Sequence, residues 1–264
     1  MLLNGKIAVV YGGGGAIGGA TARAFAREGA HLFLAGRTQS RLDTVANDIR
    51  SAGGKAETAV VDVLDEDQVE HHADAVAAKA GRIDIAMNAV GFVHVQSVLF
   101  SDLSLADFES PIHEFMRSHF ITAKAATRHM AKQGSGVFLT LSTPGARPSG
   151  TGYIGYGTTC AAIESFTGHL AAELGGKGIR TICLRPDAMP EAVELSYAKK
   201  VFTPAAEAAG MSIDAMLQEH AKSAKLGRLP RLAEVADYAA FVASDRAGAM
   251  TGAIANLTCG SVID

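Results

Sequence analysis

The sequence predicts an α/β protein with one doubly wound parallel sheet of about seven strands, and three observations lead to this fold class. Short apolar runs alternate along the chain with segments of helical spacing. These runs are apolar at nearly every position, which is typical of parallel strands buried on both faces. Many of the 29 glycines stand between the two kinds of segment, where tight strand-to-helix turns need them. One such sheet accounts for all 264 residues as a single domain.

The predicted strands are short apolar or β-branched runs that stop at turn residues. The first ends at four consecutive glycines and the second at Gly36. The strands are predicted at residues 6–11, 31–35, 58–61, 83–87, 137–141, 180–184 and 253–257.

The predicted helices carry apolar residues three and four positions apart, with polar residues on the other side. In the first helix, Ile17, Ala24 and Phe25 form the apolar stripe, and Gly29 ends the helix. The helices are predicted at residues 16–28, 41–51, 66–80, 111–132, 153–174 and 232–243.

One segment, residues 187–226, interrupts this alternation, and we call it the helical insertion. It contains Met189, Met211 and Met216 and follows a strand. Ligands bind outside the carboxyl ends of such strands, so the helical insertion is predicted to be a lid over the site. The alternative is a pair of surface helices that packs on another subunit.

Composition excludes several classes of protein. With 48% hydrophobic residues and a net charge of −3, the chain is too apolar for an intrinsically disordered protein. The pI of about 6.3 argues against nucleic acid as a partner, because that partner requires a basic face. No stretch of 18 residues is free of polar and charged side chains, so we expect no membrane span.

The cysteines indicate the compartment. Cys160, Cys183 and Cys259 stand far apart without CxxC spacing, which favours free thiols over disulfides or a metal site. The first residues lack a basic leader followed by a long apolar stretch. We therefore expect a cytoplasmic protein with no bound metal.

The glycine-rich turn after the first strand predicts a nucleotide site. Glycines let the chain turn sharply and let backbone N–H groups reach a pyrophosphate at the start of the helix. Such a pattern alone also fits an ordinary tight turn, but here it lies in the first βαβ unit. The residues in question are Gly12, Gly14, Gly15, Ile17 and Gly18.

The end of the second strand favours NADP(H) over NAD(H). An NAD site would use a carboxylate about 20 residues past the glycines, on the ribose 2′-hydroxyl. Gly36 stands there, followed by Arg37 and Thr38, with Arg41 one turn later. Arg37 is suited to a 2′-phosphate, although a solvated loop arginine would look the same.

Taken together, the motifs make the chain resemble the short-chain dehydrogenase/reductase family over nearly its whole length. The glycine turn resembles the family's Thr-Gly-x-x-x-Gly-x-Gly, and the segment from Asn88 to Gly91 resembles its Asn-Asn-Ala-Gly. Further matches are Asp62-Val63, residues 226–229 and residues 251–254. The resemblance implies a Rossmann fold, and it adds Asp62, Val63, Asn88, Gly91 and Pro186 to the cofactor-binding residues.

The resemblance also implies hydride transfer between a nicotinamide and a small-molecule carbonyl or alcohol. Tyr156 matches the family's acid/base tyrosine. Thr143, thirteen residues earlier, matches the serine that holds the substrate oxygen, with Ser142 beside it as a second candidate. Members of the family associate through their long helices, so we expect a homo-oligomer, a dimer or a tetramer.

The sequence departs from the family pattern near the predicted reaction centre. Cys160 stands at the lysine position and Phe115 at the asparagine position. Without a cation nearby, a tyrosine stays protonated at pH 7, because its free pKa is about 10. Reduction should therefore survive better than oxidation. Further departures are Tyr11, Ala16, Ala89 and Asp187.

Two groups could compensate for the missing lysine, and each has a simpler interpretation. His119 lies one helical turn after Phe115, but it could equally be a packing residue. Cys160 could be a reactive thiol or a small buried side chain. Two hypotheses result: an NADP(H)-dependent reductase with Tyr156 as proton donor, or a nucleotide-binding or scaffold protein that lost efficient catalysis.

Overall fold

A computed structural model describes residues 1–147 and 150–264. Seven strands form one parallel sheet in the order β3-β2-β1-β4-β5-β6-β7. The strands are β1 (Ile7–Tyr11), β2 (His31–Gly36), β3 (Lys55–Val60), β4 (Ile85–Asn88), β5 (Gly136–Leu141), β6 (Ile179–Pro186) and β7 (Ala253–Leu257). This Rossmann-like sheet confirms the predicted fold class.

Helices cover both faces of the sheet, which is why most positions of its central strands are apolar. Along β1, Ala8 and Val10 pack against α1, α2 and α9, while Val9 and Tyr11 pack against the helices of the other face. The helices are α1 (Ala16–Arg27), α2 (Gln39–Ser51), α3 (Glu66–Ala80), α4 (Leu105–Gln133), α5 (Ile154–Leu174), α6 (Ala192–Leu195), α7 (Ala198–Ala208), α8 (Ile213–Ser223) and α9 (Leu232–Ala243).

Two predicted boundaries are wrong by more than two residues. Helix α4 begins six residues before Pro111, because the Ser104 side chain accepts a hydrogen bond from the N–H of Asp107 and caps the helix there. Strand β3 begins at Lys55 rather than residue 58. It lies at the edge of the sheet, and its first residues, Lys55, Ala56 and Glu57, do not form a continuous apolar run.

The helical insertion contains α6, α7 and α8. Its inner side packs around Val193, Leu217 and Leu229, with Phe202 and Ile213 beside them. Among the described residues, no helix combines the length and the apolar character needed to cross a bilayer.

Candidate active site

The glycine turn connects β1 to α1 and presses against the end of β4. Gly12 has a φ of +81°, and a Cβ there would lie only 2.7 Å from the carbonyl oxygen of Ala89. A Cβ on Gly18 would collide with the carbonyl of Gly12, and one on Gly14 would lie 2.9 Å from Cβ of Arg41. Glycine is therefore required where the turn approaches β4 and α2.

The start of α1 offers free hydrogen-bond donors. Gly15 is the N-cap and has no side chain to cap the helix. Across the described residues, no backbone oxygen accepts a hydrogen bond from the N–H groups of Gly14, Ile17 or Gly18. Unpaired N–H groups at a helix start form an anion site, because the helix dipole adds positive potential there. The turn thus fits a pyrophosphate.

The arginines next to this turn are free. Arg37 and Arg41 are exposed, and in the described part of the chain neither forms an ion pair. Thr38 is the N-cap of α2, and its hydroxyl caps no backbone N–H. Gly36, at the end of β2, supplies no carboxylate. The two guanidinium groups are therefore available to bind an anion.

The side chains of Asp62 and Asn88 shape turns. Asp62 Oδ1 accepts a hydrogen bond of 3.0 Å from the N–H of Leu64, next to buried Val63. Asn88 is buried; its Oδ1 accepts from the N–H of Val90 at 3.0 Å, and its Nδ2 donates to Ser118 and Thr122. Asn88 therefore fixes the path of the chain toward Gly91 and leaves only backbone groups for a ligand.

Tyr156, in the first turn of α5, is surrounded by neutral groups. The imidazole of His94 stacks on its ring with centroids 3.8 Å apart, and Phe115 lies 5.7 Å away. Burial raises the pKa of Tyr156 well above its ordinary value of 10, and the nearby Cys160 and Tyr197 raise this pKa further. Tyr156 is therefore a neutral phenol near pH 7.

Cys160 is a buried thiol whose surroundings favour the neutral form. Its Sγ lies 3.2 Å from Oγ1 of Thr143, and burial raises the pKa of the thiol to about 11. A thiolate would need a neighbouring positive charge or a helix N-terminus. Cys160 thus fills the lysine position as a small packing residue beside Thr143 and Tyr156.

His119 does not replace the missing lysine either. It is buried, and its Nδ1 lies 2.8 Å from the carbonyl oxygen of Phe115. Burial lowers its pKa to about 4, so the imidazole is neutral near pH 7. Lys124, on the same helix, forms an ion pair of 2.7 Å with Glu66. Neither side chain brings a positive charge to Tyr156.

Of the two hydroxyls after β5, only that of Thr143 faces Cys160. Ser142 Oγ donates a hydrogen bond of 2.8 Å to Glu164. Glu164 in turn binds the fully buried Arg185 through two hydrogen bonds of 2.6 and 2.8 Å. Ser142 therefore belongs to a buried ion network, and Thr143 is the hydroxyl beside Tyr156.

Asp187, the residue after Pro186, anchors the helical insertion. Its carboxylate accepts hydrogen bonds from Nε2 of His220 at 2.9 Å and from the hydroxyl of Ser261. Burial raises the pKa of Asp187, but these hydrogen bonds outweigh burial and leave the pKa below its usual range. The hydrogen bond to Asp187 raises the pKa of His220. The contact joins α8 to the end of β6.

Three site residues were missed by sequence reasoning: His94, Tyr197 and Glu164. His94 follows the end of β4 by six residues, and that position could have drawn attention, because ligands bind at strand ends. Tyr197 and Glu164 carry no such signal. In the described residues, no group of three or more His, Cys, Asp or Glu side chains is arranged to hold a metal ion.

Comparison with known proteins assigns the family. A family model described as enoyl-(acyl carrier protein) reductase matches residues 14–261. The short-chain reductase protein NovJ of Streptomyces niveus is 31% identical over 249 residues, which make up 94% of this chain and 90% of NovJ. The 7alpha-hydroxysteroid dehydrogenase of Clostridium sardiniense is 30% identical over 255 residues, which make up 96% of this chain and 91% of that enzyme.

The solved structures agree with this assignment. A crystal structure of an NAD⁺-bound xylitol dehydrogenase superposes with a TM-score of 0.87 at 26% identity, over 98% of this chain and 100% of the other. The relatives named above are dehydrogenases and reductases. The chain is thus an oxidoreductase, and it belongs to the short-chain dehydrogenase/reductase family.

Proposed function

We propose that the protein reduces the carbonyl of a small molecule with NADP(H), and that Tyr156 donates the proton. The observation that carries this proposal is the surrounding of Tyr156: a neutral phenol with Thr143 and Cys160 beside it and no cation among the groups that shift its pKa. A neutral phenol is an acid, and protonating a carbonyl oxygen is acid chemistry. Oxidation of an alcohol, which needs the phenolate, is disfavoured.

The residues of the glycine turn would hold the cofactor. The N–H groups of Gly14, Ile17 and Gly18 would bind its pyrophosphate, and Arg37 with Arg41 would bind a 2′-phosphate. When bound, the nicotinamide supplies the hydride that reduces the carbonyl carbon. One solved relative binds NAD⁺, but the arginines and the missing carboxylate support NADP(H) for this chain.

The substrate oxygen would sit between two hydroxyls. Tyr156 donates its proton to the carbonyl oxygen as negative charge develops there, and Thr143 donates a hydrogen bond to the same oxygen. The Tyr156 phenolate that remains takes a proton from solvent. Proton transfer of this kind contributes about 10²–10⁴-fold to a rate.

Other features support the compartment and the assembly. All three cysteines are free, as in a reducing cytoplasm. Phe120, on α4, is 55% exposed. On α5, Ala161 is exposed and Ala162 half-buried, whereas Gly157 is buried and packs against the carbonyl of Gly145. An exposed aromatic side chain on one long helix and small side chains on the other suit close packing against a second subunit. We therefore propose a cytoplasmic homo-oligomer, a dimer or a tetramer, with the helical insertion as a lid.

Calorimetric titration with NADPH and NADH tests the cofactor assignment. We expect micromolar binding of NADPH, with NADH much weaker, and Arg37→Ala should remove most of this difference. The matched control is Arg246→Ala, an exposed arginine in the segment between α9 and β7, and this variant should leave the preference intact. If neither cofactor binds, the chain is a scaffold that lost the chemistry, and the proposal fails.

Turnover of a carbonyl panel tests the role of Tyr156. The named relatives act on a hydroxysteroid and on xylitol, so the panel contains steroid ketones and ketoses. Tyr156→Phe should abolish NADPH oxidation with the best substrate, while Tyr153→Phe, three residues away, should retain it. Equal activity in the two variants would contradict the proton-donor role.

A further inference from the structure

Tyr197 lies in the crevice where an open α/β sheet binds its ligand. Strands β1 and β4 are neighbours in the sheet. The strands that follow β1 are added on one side of this pair and the strands that follow β4 on the other, so the strand order reverses between β1 and β4 and creates a topological switch point. The crevice outside such a switch point is the general ligand site of these sheets. Gly91, just past β4, has no side chain, and the Tyr197 ring fills that space: a Cβ at Gly91 would lie 2.5 Å from Cζ and from the hydroxyl oxygen of Tyr197.

The helical insertion, which carries Tyr197, also contacts the other side of the crevice. Met189 and Ala192, before Tyr197, pack with Ala16 and Ile17 in the first turn of α1. Ala16 and Ile17 come directly after the glycines of the turn, where several backbone N–H groups have no backbone acceptor among the described residues. The helical insertion therefore spans the crevice from α1 to the end of β4, and Tyr197 lies on the β4 side.

One further contact holds Tyr197 itself, and another holds the segment that carries it. His94 lies edge-on to the Tyr197 ring, with centroids 6.1 Å apart. At the start of the helical insertion, Asp187 accepts hydrogen bonds from His220 and Ser261. The structure thus shows a closed arrangement in which a side chain of the protein occupies part of its own crevice.

We propose that Tyr197 gates the nucleotide site: its ring excludes the nicotinamide half of the cofactor until the helical insertion opens. This inference rests on the proposed function, because it assumes that the crevice takes a dinucleotide. The adenosine half, bound near Arg37, does not meet Tyr197. Only the half that reaches past Gly91 toward Tyr156 must displace the ring.

The gate lowers the apparent affinity by the fraction of molecules that are open. With about a tenth of the molecules open, the apparent Kd of the dinucleotide is about tenfold above its intrinsic value. Removing the ring should therefore tighten binding of the whole dinucleotide and leave binding of its adenosine half unchanged.

The test titrates four proteins with two probes by calorimetry. The proteins are the wild type, Tyr197→Ala, Tyr197→Phe and Lys200→Ala; Lys200 is an exposed residue of α7 and serves as the matched control. The probes are NADP⁺ and adenosine 2′,5′-bisphosphate, which covers only the adenosine half. We expect Tyr197→Ala to lower the Kd for NADP⁺ about tenfold, with the other variants like the wild type.

The bisphosphate separates the possible outcomes and also reports that each variant is folded. Its Kd should be equal in all four proteins. If the bisphosphate binds normally but Tyr197→Ala binds NADP⁺ no more tightly than the wild type, the gate is overturned and the nucleotide site stands. A gain for both probes, or the same gain in Tyr197→Phe, also overturns it. If neither probe binds any protein, the proposed function fails and the gate fails with it.

Discussion

The imidazole of His94 lies flat on the phenol ring of Tyr156, with centroids 3.8 Å apart and ring planes inclined by 15°. Nδ1 of His94 lies 2.8 Å from the carbonyl oxygen of Phe92, and Nε2 lies 2.7 Å from the side-chain amide nitrogen of Gln96. An amide nitrogen can only donate, so Nε2 accepts and Nδ1 carries the proton. Burial lowers the pKa of His94 to about 4, so the ring stays neutral and fixed near pH 7.

This stack should position Tyr156 for proton transfer. His94→Ala removes the ring that supports the phenol, and an aromatic pair is worth about 0.5–1.5 kcal/mol. We expect kcat for carbonyl reduction to fall roughly two- to tenfold. His94→Phe keeps a flat ring and should retain most of kcat. If His94→Phe loses as much activity as His94→Ala, Tyr156 is positioned through the hydrogen bonds of the imidazole nitrogens and not through ring stacking.

The pH profile of reduction should lack a basic limb in the ordinary range. The pKa of Tyr156 is raised above 10, so the phenol keeps its proton at every pH below that value. The proton donor is therefore present from pH 6 to about pH 9. We expect kcat for reduction to stay flat over this interval in buffers of constant ionic strength. A fall in kcat with a midpoint below pH 9 would show that Tyr156 titrates earlier than its surroundings indicate.

Cys160→Lys should recover the oxidation reaction. A cation a few ångströms from a phenol lowers its pKa by about 1–3 units, so at pH 8 the phenolate fraction should rise at least about tenfold. Alcohol oxidation should gain by the same factor. Cys160→Met is the control of similar length without charge, and it should show no gain.

Stability has to be followed in both Cys160 variants, because Cys160 is fully buried and overpacking costs about 1–3 kcal/mol. A folded Cys160→Lys protein whose oxidation rate matches that of Cys160→Met would mean that other substitutions, such as Phe115, also block the reaction.

The sheet and most helix bounds could be predicted because their signals are local. Apart from the starts of α4 and β3, the predicted bounds agree with the structure within two residues. The surroundings of Tyr156 could not be predicted, since they depend on loop paths. His94 reaches Tyr156 only because the chain bends after β4, and Tyr197 reaches Gly91 only because the helical insertion folds back over the sheet. No periodicity encodes either contact.

Breaking the buried pair of Glu164 and Arg185 should destabilise the protein far more than removing both charges. Arg185 is fully buried, and its guanidinium also binds the side chain of Asp264 at 2.7 Å. Arg185→Met leaves the buried Glu164 carboxylate with only the Arg147 guanidinium, 3.4 Å away, and losing the close partner of a buried pair costs about 3–5 kcal/mol. Urea denaturation followed by circular dichroism measures this loss. The double variant Glu164→Leu with Arg185→Met removes both charges.

The double variant should therefore recover most of the stability lost in Arg185→Met, because a buried ion pair often contributes little more than apolar side chains of the same size. One part of its remaining loss comes from Ser142, whose hydroxyl donates to Glu164 and would lose its acceptor, at about 1–3 kcal/mol. Another part comes from Asp264 and Arg147, which lose their contacts with Arg185 and Glu164. Only the Ser142 part should disappear when Ser142→Ala is added. If the losses of Arg185→Met and Glu164→Leu, each measured alone, simply add in the double variant, Glu164 and Arg185 are not energetically coupled.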